Sequence, residues 1–481
     1  MIRLKLTPLA IALTLSSIVM AQHKDYFPDP DTAIQRRISE WQDLKFGLLM
    51  HWGTYSQWGI VESWSICPED LSWAAGARKN QDIGYNEYLR QYEALQHTFN
   101  PVKFDPQRWA DAAKEAGMKY VVFTTKHHDG FCMFDTKTTD YKITGKRTPF
   151  STNAKADVTK EIFNAFRAKG FWLGAYFSKP DWHTDTYWWN KFPPADRNPN
   201  YSIQKYPDQW KKYVDFTHTQ IDELMSNYGK LDILWLDGGW VRKKTAEELN
   251  VDLNEVYEGS RWARNPQSQD INMPLIVKNA RTKQPGLIVV DRAVPGVHQN
   301  YLTPEQHIPE EGLPYPWETC MTMASSWSYS PADQYKPTNE LLEKLVDIVS
   351  KGGNYLLNIG PGPDGEWNDT AYQRLREIGA WMKVNGEAIY GTRTYTQFSQ
   401  GDSIRFTQSK DGKTKFIYLF NSPNNTIVIS KMPFEKGATL SMTGSDKKLK
   451  WKQTEAGVEI ILPAELMKNR EHVWVLKVTG K

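Results

Sequence analysis

The sequence predicts an α/β chain, a (β/α)8-like TIM barrel followed by a small antiparallel β-sandwich, on three observations. Six apolar runs each turn polar at their C-terminal end and close on Gly or Pro. Helical patterns lie between them, and from about Tyr390 the pattern changes to short β-rich runs. The six are "KFGLLMHWG", "YVVFTTKHHDG", "FWLGAYFSKP", "LDILWLDGG", "LIVVDRAVPG" and "NYLLNIGPGP". Their continuous apolarity marks strands covered on both faces, as in a parallel sheet. Strands alternating with helices from Lys45 to Pro363 favour a closed barrel over an open, doubly wound sheet.

The helices carry their own signals. In "FDPQRWADAAKEAG", Asp105 is placed to cap, Pro106 fits the first helical position, and Trp109, Ala112, Ala113 and Ala116 share a face that Gly117 ends. In "TNELLEKLVDIVSKGG", Leu341, Leu342, Leu345, Val346 and Val349 form a similar stripe. Past Tyr390, "TKFIYLFNSPNNTIVIS" and "REHVWVLKV" are separated by Gly, Asn, Asp and Lys turns, which predicts the sandwich. The expected division is residues 1–21 as a leader, 22–389 as the barrel and 390–481 as the sandwich.

The leader reading rests on Arg3 and Lys5 before an apolar stretch, then Val19 and Ala21 at the small-residue spacing of a secretory cleavage site. Cleavage near Ala21 would give a periplasmic or secreted protein. No Cys follows the stretch to take a lipid, and no later segment is long and apolar enough to span a bilayer. Lys and Arg number 59 against 56 Asp and Glu, a net charge of +3, without a basic run interleaved with aromatics. Nucleic acid is therefore not an expected partner. Cys67, Cys132 and Cys320 have no metal-ligand or framework spacing and read as buried thiols, with a disulfide between one pair as the alternative.

In a parallel barrel the reacting groups sit at the C-terminal ends of the strands, where His51, Trp52, His127, His128, Tyr176, Asp237 and Arg292 all fall. Alternation along "LWLDGG" turns Trp235 and Asp237 into the barrel and Leu234 and Leu236 toward the helices. An inward carboxylate beside an indole is either a structural cap or ion pair with Arg292, or a working group. The paired histidines of "TTKHHDGF" raise zinc as an alternative. Adjacent residues on an extended strand point to opposite faces, however, so neutral imidazoles that bind hydroxyl groups are preferred and no metal or other cofactor is expected.

The chain holds 20 Trp, several bunched in "DWHTDTYWW". Those on mouth loops suit the C–H faces of a sugar, while His, Arg and Tyr suit its hydroxyls. Together with Asp237 they argue for glycoside hydrolysis, which requires a second carboxyl about 5 Å away if configuration is retained. Glu305, on the loop after "VVDRA", is preferred as acid/base on loop placement. Glu318, just before a short apolar run and hence toward the stability end, and Glu62, on the first mouth loop, are the alternatives.

At these residues the chain resembles the α-L-fucosidases of glycoside hydrolase family 29. "KFGLLMHWG", "TTKHHDGF", "LWLDGG", "VVDR", "WETCMT", "GGNYLLNIGP" and "NGEAIYG" resemble the family's signature segments in order, over about residues 40–392. The resemblance implies a catalytic barrel, a C-terminal β-sandwich, no metal, and release of terminal α-linked L-fucose from fucosylated oligosaccharides or glycoconjugates with retention. By similarity Asp237 is the nucleophile, and His51, His127 and His128 bind fucose hydroxyls. Trp235 and Arg292 would lie beside the nucleophile, and Trp64 and Trp327 would wall the sugar's methyl group. The family's acid is not held at a uniform motif; "TPEQ" resembles the segment that carries it in several members, which supports Glu305, and "WETC" carries the competitor Glu318. Two other classes remain: a metal-dependent barrel hydrolase, and a carbohydrate-binding protein without catalysis.

Overall fold

All six apolar runs become strands of one curled parallel sheet, joined by a seventh. A computed structural model describes residues 26–68, 82–249, 267–420, 425–445, 447–463 and 472–480, so the leader read at residues 1–21 lies outside the described residues. The strands are β1 (Phe46–Met50), β2 (Tyr120–Lys126), β3 (Trp172–Ser178), β4 (Ile233–Asp237), β5 (Ile288–Asp291), β6 (Glu318–Thr322) and β7 (Asn354–Asn358). Their spatial order is β5-β4-β3-β2-β1-β7-β6, every neighbouring pair parallel.

The eighth place holds no regular strand among the described residues. Residues 298–306 run between β5 and β6 instead. The amide of Asp291 donates to His298 and that of Asn300 to Val289, both at 3.0 Å, while Glu318 donates to the Leu302 carbonyl at 2.8 Å. Farther along, Cys320 donates to Pro304 at 3.2 Å and Gln306 donates to Cys320 at 3.0 Å. The segment bridges β5 antiparallel and β6 parallel. Pro304 lacks an amide hydrogen and cannot complete a ladder, which keeps this closure irregular.

Helix α1 (Thr32–Leu44) precedes the barrel, and the other described helices cover its outside: α2 (Tyr85–Glu93), α3 (Pro106–Glu115), α4 (Val158–Ala168), α5 (Pro207–Asn227), α6 (Met273–Lys283), α7 (Thr338–Ser350) and α8 (Asp369–Asn385). None is long and apolar enough to cross a membrane. Asp105 caps α3 by accepting from the amides of Gln107 and Arg108, Pro106 stands in its first turn, and Gly117 follows at φ +86°. The buried face of α3 holds Trp109, Ala110 and Ala113, with Ala112 only half-buried. The α7 stripe is buried as its spacing predicts, with Ile348 added.

Alternation sorts the strand residues into two cores. Leu48, Val121, Phe123, Leu173, Phe177, Leu234 and Leu236 pack outward with the helices. Leu49, Tyr120, Val122, Tyr176, Trp235, Ile288, Val290 and Leu356 fill the interior. Interior space is tight: a Cβ on Gly47 would overlap the ring of Tyr120. Helix α1 plugs the lower end, where Trp41 stacks on Tyr301 with centroids 3.9 Å apart and its carbonyl accepts from Asn354 at the start of β7, 2.8 Å away.

Beyond α8 the chain becomes antiparallel. Strands β8 (Arg393–Gln400), β9 (Ile404–Gln408), β10 (Thr414–Leu419), β12 (Thr439–Met442) and β15 (Trp474–Thr479) form a sheet ordered β12-β15-β10-β9-β8. A second sheet, β11-β14-β13, is built from β11 (Thr426–Ile429), β13 (Lys450–Thr454) and β14 (Gly457–Ile461). Between the sheets lie Phe406, Ile417, Ile429, Leu440, Val458, Ile460 and Leu476. The outer face of the larger sheet packs on the barrel through Phe416, Tyr418, Val473 and Val475. The Trp381 indole on α8 donates to the Val473 carbonyl at 2.7 Å, tying the two layers together. All three cysteines are buried thiols.

Candidate active site

The C-terminal ends of the strands open into a cavity of about 890 Å³. Its wall includes His51, Glu62, Trp64, His127, His128, Tyr176, Trp235, Asp237, Arg292, Glu305 and Trp327, so most of the residues singled out in the sequence meet here.

Asp237 ends β4 and points inward because Trp235, two residues earlier, does. Its Oδ2 accepts from the Tyr176 hydroxyl at 2.7 Å, and its Oδ1 accepts from the Gly238 amide at 2.8 Å and from Arg292 Nη1 at 3.1 Å. Gly238 sits at φ +87°, where a Cβ would also strike Pro180, so only glycine presents its amide this way. Burial alone would raise the Asp237 carboxyl. The Arg292 guanidinium, the nearby His128, the Tyr176 hydroxyl and the Gly238 amide together outweigh it and hold the group well below the usual carboxylate range. Burial pushes the Tyr176 phenol far up, with the Asp237 charge adding to it, so it stays protonated and donates.

Arg292 joins two carboxylates. Nη1 pairs with Asp237 and Nη2 with Glu305, and the guanidinium lies 5.3 Å from the Trp235 ring. Trp235 stacks on Tyr176 at 5.2 Å, so the donors to Asp237 rest on one aromatic floor. Glu305 is carried by the irregular closure and its side chain is 41% exposed.

The histidines are oriented from behind. His51 Nδ1 meets Asn358 Oδ1 at 2.8 Å, and the Asn358 amide nitrogen donates to the Trp327 carbonyl, so His51 donates and leaves Nε2 as an acceptor. His128 Nδ1 lies 2.7 Å from Ser178 Oγ, whose proton goes to the Pro180 carbonyl; His128 Nε2 is thereby also an acceptor, 3.9 Å from Asp237. His127 Nδ1 pairs with Ser63 Oγ at 2.7 Å. Burial lowers all three, His51 and His128 to about 4 and His127 well below its usual value, so they are neutral at pH 7. Neutral imidazoles suit hydroxyl groups.

Two placements differ from the sequence reading, and a third, that of Glu318, falls at the lower end that its position before a short apolar run implied. Trp52 is not at the cavity: it is buried against Phe99, Phe104 and Trp109, and its indole donates to the Gly362 carbonyl at 3.0 Å. It follows His51, and strand alternation sends the pair to opposite sides. Glu318 opens β6 at the barrel's lower end, fully buried and outside the cavity wall. It accepts from the Tyr120 hydroxyl at 2.6 Å and the Trp235 indole at 3.3 Å, and burial raises it to about 7. It therefore supports the aromatic floor from below.

The second difference is the histidine pair. A register shift between Thr124 and Lys126 turns Lys126 outward to Asp181 at 3.0 Å, and the chain then leaves the strand, so His127 and His128 both reach the cavity. Their ligand atoms and that of Asp237 lie within 4.8 Å of one another, the spacing of a metal site. Asp237 already takes one guanidinium and two further donors, an arrangement that opposes a cation there.

Glu62 gains weight from the structure. It is 4% exposed, its Oε2 has no hydrogen-bond partner, and burial, with Glu305 and Asp237 adding to it, raises it to about 7. Trp240 was missed. It lines the cavity beside Trp64, 5.8 Å away, and its signal was its place in "DGGW" just past Asp237.

The sequence model of the family described as Alpha-L-fucosidase matches residues 13–387, and that of the Alpha-L-fucosidase C-terminal domain matches residues 399–479. The chain is 28% identical to the tissue alpha-L-fucosidase of Bos taurus over 485 aligned residues, covering 95% of this chain and 91% of that one. Among solved structures it is similar to alpha-L-fucosidase isoenzyme 1 of Paenibacillus thiaminolyticus, with TM-score 0.73, 28% identity, and coverage of 94% of this chain and 100% of that chain. The Thermotoga maritima alpha-fucosidase in complex with a mechanism-based inhibitor matches with TM-score 0.71 and 26% identity, over 94% of this chain and 100% of that one. By its sequence, its barrel and its C-terminal sheets, the chain belongs to the alpha-L-fucosidase family of glycoside hydrolases.

Proposed function

We propose that this chain is an exo-acting, retaining α-L-fucosidase that removes terminal fucose from fucosylated oligosaccharides or glycoconjugates through a covalent fucosyl-enzyme intermediate. The observation that carries this reading is Asp237, kept ionised by Arg292, Tyr176 and the Gly238 amide in a cavity shared with two further carboxyl groups. Asp237 attacks the anomeric carbon while Glu305 gives a proton to the leaving oxygen; Glu305 then takes a proton from the water that releases fucose. His51, His127 and His128 bind the ring hydroxyls, and Trp64 and Trp327 face the methyl group. The leader at residues 1–21 accords with glycans met outside the cytoplasm.

The test is hydrolysis of an aryl α-L-fucoside followed by NMR from the first seconds, with and without EDTA. α-L-Fucose as the first anomer, formed equally with chelator, is the expected result. A first-formed β anomer would overturn retention, and loss with EDTA would restore the metal-dependent class.

Glu62 is the second reading for the acid, favoured by its unpartnered Oε2 and its titration near 7. With Glu305 as acid, Glu62 is neutral below pH 7 and adds a negative charge beside Asp237 above it. Glu62→Gln should then remove a falling limb of kcat/KM near pH 7 and leave the rate below it within about tenfold. A loss of about 10²-fold or more confined to poor leaving groups would make Glu62 the acid.

A further inference from the structure

We infer that Ser63 is a positioning residue whose buried hydroxyl locks His127 in the tautomer opposite to that of His51 and His128, so that the cavity meets a sugar with one imidazole donor beside two imidazole acceptors. The inference rests on the reading of these histidines as the groups that bind the ring hydroxyls.

Ser63 stands between Glu62 and Trp64, both of which wall the cavity, and is itself fully buried. Its Oγ has two hydrogen-bond partners among the described residues: the Asp129 amide, which donates to it at 2.9 Å, and His127 Nδ1 at 2.7 Å. A serine hydroxyl offers a single proton and accepts through its lone pairs. The amide already takes a lone pair, so the proton has one acceptor open to it, His127 Nδ1. In the reverse arrangement His127 donates from Nδ1, Oγ receives two donors, and the serine's own proton is left without a partner in the interior, which is destabilising. His127 is neutral, so its one ring proton is on Nε2 and it presents a donor to the cavity.

The contrast with His128 isolates the cause. Each of the two histidines has a serine 2.7 Å from Nδ1. Ser178 gives its proton to the Pro180 carbonyl at 2.5 Å and so accepts from His128, whereas Ser63 faces an amide and so donates to His127. The motif "HHDG" supplies that amide. Gly130 donates to the His127 carbonyl at 3.1 Å and stands at φ +77°, where a Cβ would strike the Asp181 carboxylate. This turn brings the Asp129 amide back to the partner of its own histidine. The Asp129 carboxylate is anchored in turn by the Tyr92 hydroxyl on α2 at 2.7 Å and by the Phe131 amide at 3.2 Å.

Opposite polarity suits a hydroxyl group. The ligand atoms of His127 and His128 lie within 4.8 Å of each other. One hydroxyl oxygen spans such a gap with two hydrogen bonds, accepting from His127 and donating to His128. With two acceptors there, the single hydroxyl proton would satisfy only one of them and leave a buried lone pair unpaired. His51, its ring centroid 5.6 Å from that of His127, adds the second acceptor.

The experiment reads the ring nitrogens by NMR of wild type labelled with heavy nitrogen at histidine, each signal assigned by its loss when that histidine is replaced by glutamine. Kinetics of Ser63→Ala on an aryl α-L-fucoside accompany it. Expected results are a protonated Nε2 on His127 and a protonated Nδ1 on His51 and His128 in wild type. In Ser63→Ala the His127 proton should be shared between its two nitrogens, with KM raised about three- to tenfold and kcat within about twofold. A protonated Nδ1 on His127 in wild type overturns the inference, and the wild-type spectrum decides this even where Ser63→Ala does not fold. An unchanged KM in a folded Ser63→Ala, or a loss confined to kcat, overturns the role in sugar binding. Wild type that leaves the aryl fucoside intact overturns the fucosidase reading, while the spectrum still decides the tautomer.

Discussion

Replacing Asp237 by alanine should lower kcat/KM on an aryl α-L-fucoside by about 10⁴- to 10⁶-fold, the scale seen when a nucleophile acting within a concerted unit is removed. Four groups converge on this carboxylate, from the segment after β2, from β3, from just past β4 and from the turn after β5. Tyr176 and the Gly238 amide donate to it, Arg292 pairs with it, and His128 stands 3.9 Å away. Alanine leaves the fold's strands intact but leaves a guanidinium and a phenol facing an empty position. Azide added to the variant should attack the anomeric carbon from the vacated side and give β-L-fucosyl azide. More than a tenth of wild-type activity in Asp237→Ala would place the nucleophile elsewhere. Full loss without azide rescue, in a variant whose circular dichroism matches wild type, would leave Asp237 a charge partner and not the attacking atom.

Replacing Glu305 by alanine should separate substrates by leaving group. A disaccharide, whose alkoxide leaves poorly, should lose about 10²- to 10⁴-fold in kcat, because protonation of the leaving oxygen is missing. An aryl fucoside with an acidic phenol needs little protonation, so its first step survives and release of the intermediate becomes slow. The signature is a burst of phenol followed by a low steady rate, with azide giving α-L-fucosyl azide. Equal losses on both substrates would show that Glu305 acts only through Arg292, by fixing the guanidinium that pairs with Asp237. The same leaving-group pattern in Glu62→Ala, absent in Glu305→Ala, would move the proton donor to the buried carboxyl.

One rule of strand geometry explains much of what the residues disclosed and what they hid. Six of the seven sheet strands were legible because a long apolar run covered on both faces has few other structures open to it. β6 was harder: its five residues include Glu318 and two threonines, and the run is short and half polar. Side-chain alternation correctly turned Trp235 and Asp237 into one space. Applied at the end of β1 it would have separated Trp52 from His51, since one faces the core and the other the cavity. At the end of β2 it misled, because the register shift at Thr124–Lys126 and the end of the strand release His127 and His128 from alternation. Glu62 shows a different limit. Its type and loop were plain in "VESW", but its burial and missing partner depend on packing from distant parts of the chain.

The irregular closure between β5 and β6 has an evolutionary consequence. A regular eighth strand would lock its register, and gaining or losing one residue would turn every later side chain to the wrong face. Residues 298–306 are held by scattered backbone bridges interrupted at Pro304, and the turn after Arg292 reaches the surface at Ala293, Pro295 and Val297. Length changes in such a turn carry little entropy cost. The position of Glu305 along the rim can thus drift through insertions and deletions while the seven strands that anchor Asp237, Tyr176 and the histidines stay in step. With Asp237 as the proposed attacking group and Glu305 as the proposed acid, the first is inherited with the barrel, and the second is free to be re-sited as the bond to be cut changes.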